Sequence, residues 1–315
     1  AQLRQWDLKS LTEELAQSRQ ELLAVRDQRV RPGKDDKVLV SWNALMINSL
    51  ARAATILDRP QYLEAARRAA EFLLGHVTRP DGRLMHCWRH GLAKLDAYLD
   101  DYTYMINALV TLYEADFEVA WIEKAVSLAD TVLAHFRDDD QGGFFYTADD
   151  HEQLITRTKD LYDSSVPSGN AMAATALARL ASLCGRTDLM EAALGSLEMA
   201  GSALRDNPTA CGQLLIAADF ILGPTRQLAI VGDSHDQLQP VVRELRQVFL
   251  PRAVFAAQSD EQPAGSPLAP LFAGKTPVNG EVTAYVCEDF ACQQPVSGQQ
   301  AILHAMQQLS SPKCG

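Results

Sequence analysis

Between residues 38 and 57 the apolar side chains run almost all the way round a helical projection, with Ala44, Ala51, Ala53 and Ala54 keeping the backbone approachable. A helix of that kind must be enclosed by protein on most sides. The turn that leads into it, Arg31-Pro-Gly-Lys-Asp-Asp-Lys37, gathers charge at the mouth of the helix and leaves its body apolar. Residues 61–77 follow as an amphipathic helix, with Glu64, Arg67, Arg68 and Glu71 on one side and Leu63, Ala66, Ala70, Phe72 and Leu73 on the other. An Arg-Pro-Asp-Gly82 turn then leads into a short strand-like stretch, residues 83–88.

The same cycle recurs twice. Residues 98–113 form a second nearly all-apolar helix with paired aspartates at its start, followed by an amphipathic helix over 118–136 and an extended piece, 140–146. A third round pairs the alanine-rich 168–180 with the more polar 188–204, and 208–222 opens a fourth. Trp42 to Tyr102 is 60 positions and Tyr102 to Asn170 is 68, so the period is loose while the order of elements is kept. Helical hairpins that cannot bury their faces alone stack on one another.

The expected fold is therefore mainly α: a partial (α/α)6 toroid whose apolar helices form an inner ring. Each inner helix is separated from the next by one returning helix, so the inner helices all run the same way and their N-termini open at one end. That reasoning gathers Asp35, Asp36, Lys37 and Trp42, then Asp100, Asp101, Tyr102 and Tyr104, then Ser168 and Asn170, around one mouth. After Gly223-Pro224 the pattern changes class. Strands at 227–231, 253–256 and 282–287 alternate with helices at 236–249 and 297–309, and 258–280 reads as a loop. Residues 1–223 thus read as the toroid and 224–315 as a small α/β subdomain.

Formal charge is 29 − 40 = −11 with no long basic run, which argues against nucleic acid and anionic membrane as partners. Apolar helices are interrupted by Arg, Asn or Asp before the ~20 residues a bilayer requires. The six scattered cysteines, with no Cys-x-x-Cys and no zinc-ligand spacing, suit a reducing compartment, and the cytoplasm is the expectation. No cofactor or metal is expected from this pattern. Residues 8–29 read as an amphipathic helix with one buried face, and a chain that opens at Ala1 on a helical pattern reads as a piece of something longer.

Five ordered motifs also carry a resemblance: Lys34-Asp-Asp-Lys-Val-Leu-Val-Ser-Trp-Asn-Ala-Leu-Met-Ile47, Leu99-Asp-Asp-Tyr102, Gly142-Gly-Phe-Phe145, Pro167-Ser-Gly-Asn170 and Val286-Cys-Glu-Asp-Phe-Ala-Cys-Gln-Gln-Pro295. Over nearly its whole length the chain resembles the thioredoxin-domain-containing family related to spermatogenesis-associated protein 20. That resemblance implies a thioredoxin-like domain followed by a six-hairpin toroid similar to glycosidases and N-acylglucosamine 2-epimerases. With no thioredoxin-like segment and about eight toroid helices instead of twelve, it covers the C-terminal part of a family member.

Two functional readings follow. The first is a carbohydrate site at the mouth: Asp36 and Asp101 as bases or hydroxyl acceptors, Trp42 and Tyr102 as walls, Asn170 as an orienter, with Asp35, Lys37, Asp100, Tyr104 and Ser168 around them. A helix N-terminus favours ionised carboxylates, which suits a base better than an acid, and one aspartate of each pair is expected to cap its helix. Epimerisation wants proton-transferring groups, most naturally histidines, but His86, His90 and His151 have no partner at diagnostic spacing. The second reading is a non-catalytic helical module that serves a thioredoxin-like domain. Cys287 and Cys292, with four residues between them, are either a redox pair or structurally buried. Gly232-Asp-Ser-His235 reads as a turn with a capping side chain rather than a nucleotide loop.

Overall fold

The computed structural model describes residues 7–152, 155–259, 265–288 and 291–310. Asp289 and Phe290 of the fifth motif, part of the 258–280 loop and Cys314 fall outside the described residues. The chain divides into two units, Ala1–Lys37 and Val38–Gly315. The first carries α1 (Leu8–Asp27), capped by Asp7, whose carboxylate accepts from the Ser10 N–H at 2.8 Å. The expected buried face is absent, since no residue of α1 is buried and Leu8 and Leu22 are about 70% exposed. Asp35, Asp36 and Lys37 follow in irregular, exposed chain, with Lys37 paired to Asp35 at 3.3 Å.

In the second unit β1 (Val38–Leu39) leads into α2 (Val40–Ile56), which is followed by α3 (Pro60–His76) and by the antiparallel hairpin of β2 (Met85–Arg89) and β3 (Leu92–Asp96). Next come α4 (Leu99–Asp116) and α5 (Val119–His135), then α6 (Gly169–Cys184) and α7 (Thr187–Met199), the short α8 (Gly201–Asp206), and α9 (Gly212–Leu222). Each odd helix up to α7 packs back on the even helix before it, while α2, α4, α6 and α9 pack side by side. α4 and α6 are buried nearly throughout, as their all-round apolar surfaces require.

Hydrogen bonds fix the common direction of the inner helices. Ser41 N–H at the start of α2 donates to Asp101 at the start of α4 (2.9 Å), and Asn48 meets Asn107 and Thr111 further along. Asp163 accepts from the Ser168 N–H at the start of α6 and from the Gln213 N–H at the start of α9, both at 2.8 Å. All four inner N-termini therefore lie at one end. The helix bodies are less purely apolar than their composition indicates. Arg179 of α6 donates to Glu114 (2.6 Å) and Thr111 (3.1 Å) of α4, forming a mostly buried polar ladder across the ring. Low charge density hides such a ladder, because each helix contributes only one or two of its members.

After α9 come β4 (Arg226–Val231), α10 (His235–Leu245), β5 (Ala253–Gln258), α11 (Ala269–Phe272), β6 (Thr283–Glu288), β7 (Ala291–Cys292), β8 (Val296–Ser297) and α12 (Gln299–Ser310). The sheet order is β5-β4-β6-β7, with β8 also on β6; β4 and β5 are parallel and β6 runs antiparallel to β4. Strand alternation splits its faces. Ala229, Val231, Val254 and Ala256 join the core of the inner helices, whereas Leu228, Ile230, Ala284 and Val286 pack with α10 and α12. The change of class near residue 223 is thus a change of layer inside one compact unit, with a core shared across it. Within the expected loop, α11 inserts Leu271 and Phe272 into that same core. α10 stops at Leu245 instead of 249, and Phe249 beyond it is 77% exposed.

Cys287 and Cys292 face each other in register across β6 and β7 and form a disulfide, with Cys287 buried and Cys292 exposed. Of the two readings the sequence left open, redox pair or structural burial, the hairpin brings the two sulfurs, five positions apart, together on adjacent strands, although the scattered cysteines as a whole pointed to a reducing compartment. Cys87, Cys184 and Cys211 are free and buried, and burial pushes the Cys184 thiol up to about 12, which leaves it inert as a nucleophile at neutral pH. Among the described residues no helix is long and apolar enough to cross a membrane.

Candidate active site

Asp101 is the knot of the N-terminal end. Its carboxylate is fully buried and accepts three hydrogen bonds: from the Ser41 N–H (2.9 Å), the Tyr98 N–H (3.0 Å) and His86 Nδ1 (2.8 Å). The Tyr98 bond is half of a capping box, so capping accounts for part of this residue. The remainder joins α2, α4 and β2 and orients an imidazole. The carboxylate thereby keeps a proton on the Nδ1 of His86 and fixes the orientation of the ring. The β2–β3 hairpin brings His86 to Asp101; their separation of 15 positions shows no helical or strand period in the sequence.

Asp100, one position earlier, is the opposite kind of carboxyl. It is half-buried, and its Oδ1 is sealed from solvent with no hydrogen-bond partner. Gly169 at the start of α6 packs so closely that a Cβ there would lie 2.5 Å from that oxygen. Desolvation pushes the Asp100 carboxyl up to about 7; the charges of Asp101 and Asp160 add to the shift and His86 opposes it. The expectation that helix-start aspartates stay ionised thus fails at Asp100. Burial against α6 outweighs the helix dipole, and sequence carries no sign of it.

Aromatic rings surround these groups. Tyr98 stacks on Tyr146 at 4.9 Å and meets His86 (5.1 Å) and His151 (5.6 Å) edge-on. These four rings were not singled out as walls of the mouth, because three of them sit in loops or hairpins whose return path only the fold defines. Tyr102 and Tyr104, by contrast, are core residues. The Tyr102 hydroxyl accepts from the Leu84 N–H at 3.0 Å and its ring leans on Phe136; the Tyr104 hydroxyl donates to the Pro167 carbonyl.

Several expected ligand contacts are used internally. Asn170 is fully buried: its Oδ1 accepts from the Phe144 N–H (2.8 Å), and its Nδ2 donates to the carbonyls of Phe144 (2.9 Å) and Asp160 (3.2 Å). Ser168 is the N-cap of α6, accepting from the Ala171 N–H at 3.1 Å. Trp42 is 62% exposed and stacks on none of the mouth aromatics among the described residues. Asp35, Asp36 and Lys37 belong to the N-terminal unit. The helix they were expected to cap starts at Val40, with Leu39 at the cap position and no side-chain cap. His135, Asp149 and Asp150 bring ligand-type atoms within 4.8 Å of one another, but Asp150 is committed to Arg83, which holds its carboxyl down at about 2.

No family model matches the chain. It is 29% identical over 298 residues to spermatogenesis-associated protein 20 of Homo sapiens, covering 88% of this chain and 37% of that protein. An α-mannanase (GH76) of Bacteroides thetaiotaomicron has a similar fold, with a TM-score of 0.50 and 10% identity, over 89% of this chain and 71% of the enzyme. Cellobiose 2-epimerase from Bacillus thermoamylovorans matches 54% of this chain and 45% of the enzyme, with a TM-score of 0.45 and 14% identity. The chain is thus similar in sequence to a part, about 37%, of spermatogenesis-associated protein 20, and it is built on a partial (α/α) toroid.

Proposed function

We propose that the N-terminal end of the inner helices is an acid–base site for a small polyhydroxy substrate, most simply a reducing sugar undergoing isomerisation or epimerisation. The observation that carries this reading is the contrast between adjacent aspartates: Asp100, packed against the start of α6 and desolvated so that its carboxyl is pushed up to about 7, and Asp101, hydrogen-bonded as an acceptor to His86 Nδ1. Moving a proton next to a carbonyl needs a base at the carbon and an acid at the oxygen. His86 supplies the base through Nε2, and Asp100 donates to the carbonyl oxygen as the enediol forms. Paired groups whose environments push their proton affinities apart are how such roles divide. Tyr98 and Tyr146 supply ring faces for the apolar side of a sugar.

Calorimetry with a panel of reducing mono- and disaccharides tests the site. Binding is expected to weaken as pH rises through about 7, where Asp100 ionises, and to fall at least ~10-fold in Asp100→Asn, the loss expected for one acid hydrogen bond. If no sugar in the panel binds, or if Asp100→Asn binds with unchanged affinity and pH dependence, the acid–base reading is wrong. The competing reading, a non-catalytic helical module partnering a thioredoxin-like domain, draws on the internal use of Tyr102, Tyr104, Ser168 and Asn170 and stands if binding is absent.

A further inference from the structure

At the other end of the inner helices, about 20 Å along α4 from Asp100 at 1.5 Å per residue, a second cavity opens. It occupies about 350 Å³ between the last turns of α2 and α4 and the segment that follows α10. Its walls are mainly apolar, with Phe117, Leu245, Leu250 and Phe255 among them. That volume is at the small end of the roughly 300–1,000 Å³ typical of ligand pockets.

One charged group in this cavity is incompletely used. Arg246 Nη2 donates to the Glu114 and Ala115 carbonyls (3.0 and 2.6 Å), and its guanidinium lies 5.4 Å from the centre of the Phe117 ring. Its Nε is buried without an acceptor, and among the described residues no carboxylate pairs with it. The nearby acids are committed elsewhere: Glu114 to Arg179 at 2.6 Å, and Asp116 to Arg67 at 2.7 Å and to the Trp121 indole N–H at 3.1 Å. A second cation, Arg52, also lines the cavity and is exposed. Desolvation lowers the proton affinity of Arg246, and the charges of Asp116 and of Glu114, which also lines the cavity, oppose that shift without pairing with it directly.

We propose that this cavity binds a small apolar carboxylate, its chain or ring against the apolar walls and its carboxylate on the Arg246 guanidinium. The fork of guanidinium N–H groups matches a carboxylate better than any neutral oxygen. An apolar molecule without the charge leaves the arginine unpaired, and a cationic one is repelled by Arg246 and Arg52. The site is separate from the acid–base end, and neither proposal depends on the other.

Decanoate is the probe, measured by calorimetry on the whole chain at pH 7.5, with decanol and decyltrimethylammonium as neutral and cationic counterparts. Decanoate is expected to bind with a dissociation constant of about 10–100 µM, from the binding energy per heavy atom of small ligands. Decanol and the cation should bind at least ~10-fold more weakly. Arg246→Met should weaken decanoate by a similar factor and remove the discrimination against decanol. Because Arg246 also caps α4, that variant needs an unchanged circular dichroism spectrum to count. Thr55→Trp, which fills the cavity from its edge and leaves Arg246 in place, is the second variant and should abolish binding. Failure of decanoate to bind at 1 mM, equal binding of decanol, or full retention of binding in Thr55→Trp would each overturn the assignment.

Discussion

Asp101→Ala is expected to destabilise the chain by about 3–5 kcal/mol in urea titration, because it strands three donors that the buried carboxylate now satisfies. Two of them are backbone N–H groups at the starts of α2 and α4, and the third is the imidazole of His86. Asp101→Asn keeps one accepting oxygen but turns an amide donor toward the others, so it should cost about 2–3 kcal/mol. Asp100→Asn should act with the opposite sign. Below about pH 4 its carboxyl is protonated in both folded and unfolded chains. Between pH 4 and about 7 the unfolded chain loses that proton while the folded chain keeps it, so wild-type stability falls as pH rises. Above pH 7 a charged carboxylate is trapped in a desolvated position, and replacing it with asparagine should stabilise the fold by about 2 kcal/mol. Urea midpoints for the three variants at pH 4.5 and pH 8 give the comparison. Equal destabilisation by Asp100→Asn and Asp101→Asn at pH 8 would show that the adjacent aspartates do not differ as described.

The second large effect is at Asn170. Its carboxamide stitches the Gly142-Gly-Phe-Phe145 turn and the chain near Asp160 to the start of α6, using every atom it has. The turn fits tightly against it: Gly143 has φ +69°, and a Cβ there would approach Asn170 Oδ1 to 2.9 Å and the Met199 methyl to 2.2 Å. Asn170→Ala should cost about 3 kcal/mol, from one backbone N–H and two carbonyls left unpaired in a dry interior. Asn170→Asp should be worse at pH 7 than at pH 4, since its ionised form faces two carbonyl oxygens where the amide donated. A residue that served mainly to orient a ligand would show the reverse pattern, with normal stability and lost binding. Thermal midpoints and sugar calorimetry on the same samples separate the two roles.

Some of the site was legible before the fold was known. The Asp-Asp pair at 100 and 101 stood at the start of an enclosed helix, and repetition of such helices placed it at a shared end. Asp163 escaped notice because it lies in irregular chain, yet it supplies an acceptor to two inner helices at once. His86 was discounted as a lone histidine, and only the return of the β2–β3 hairpin gives it a carboxylate. Trp42 was a candidate wall because its ring could stack on a sugar face, although aromatics near helix starts are more often core; it is exposed on α2.

What the sequence determined by itself was the succession of enclosed and amphipathic helices, their common direction and the shift to strands near residue 223. These follow from periodicity, which is a local property of the chain. Tertiary structure alone decided which of two neighbouring aspartates became a hydrogen-bonded anion and which a desolvated acid, and that the sheet would share a core with the inner helices. Proton affinity depends on what surrounds a carboxyl in three dimensions, and here the groups that matter come from 15, 60 and 69 positions away along the chain, at His86, Ser41 and Gly169.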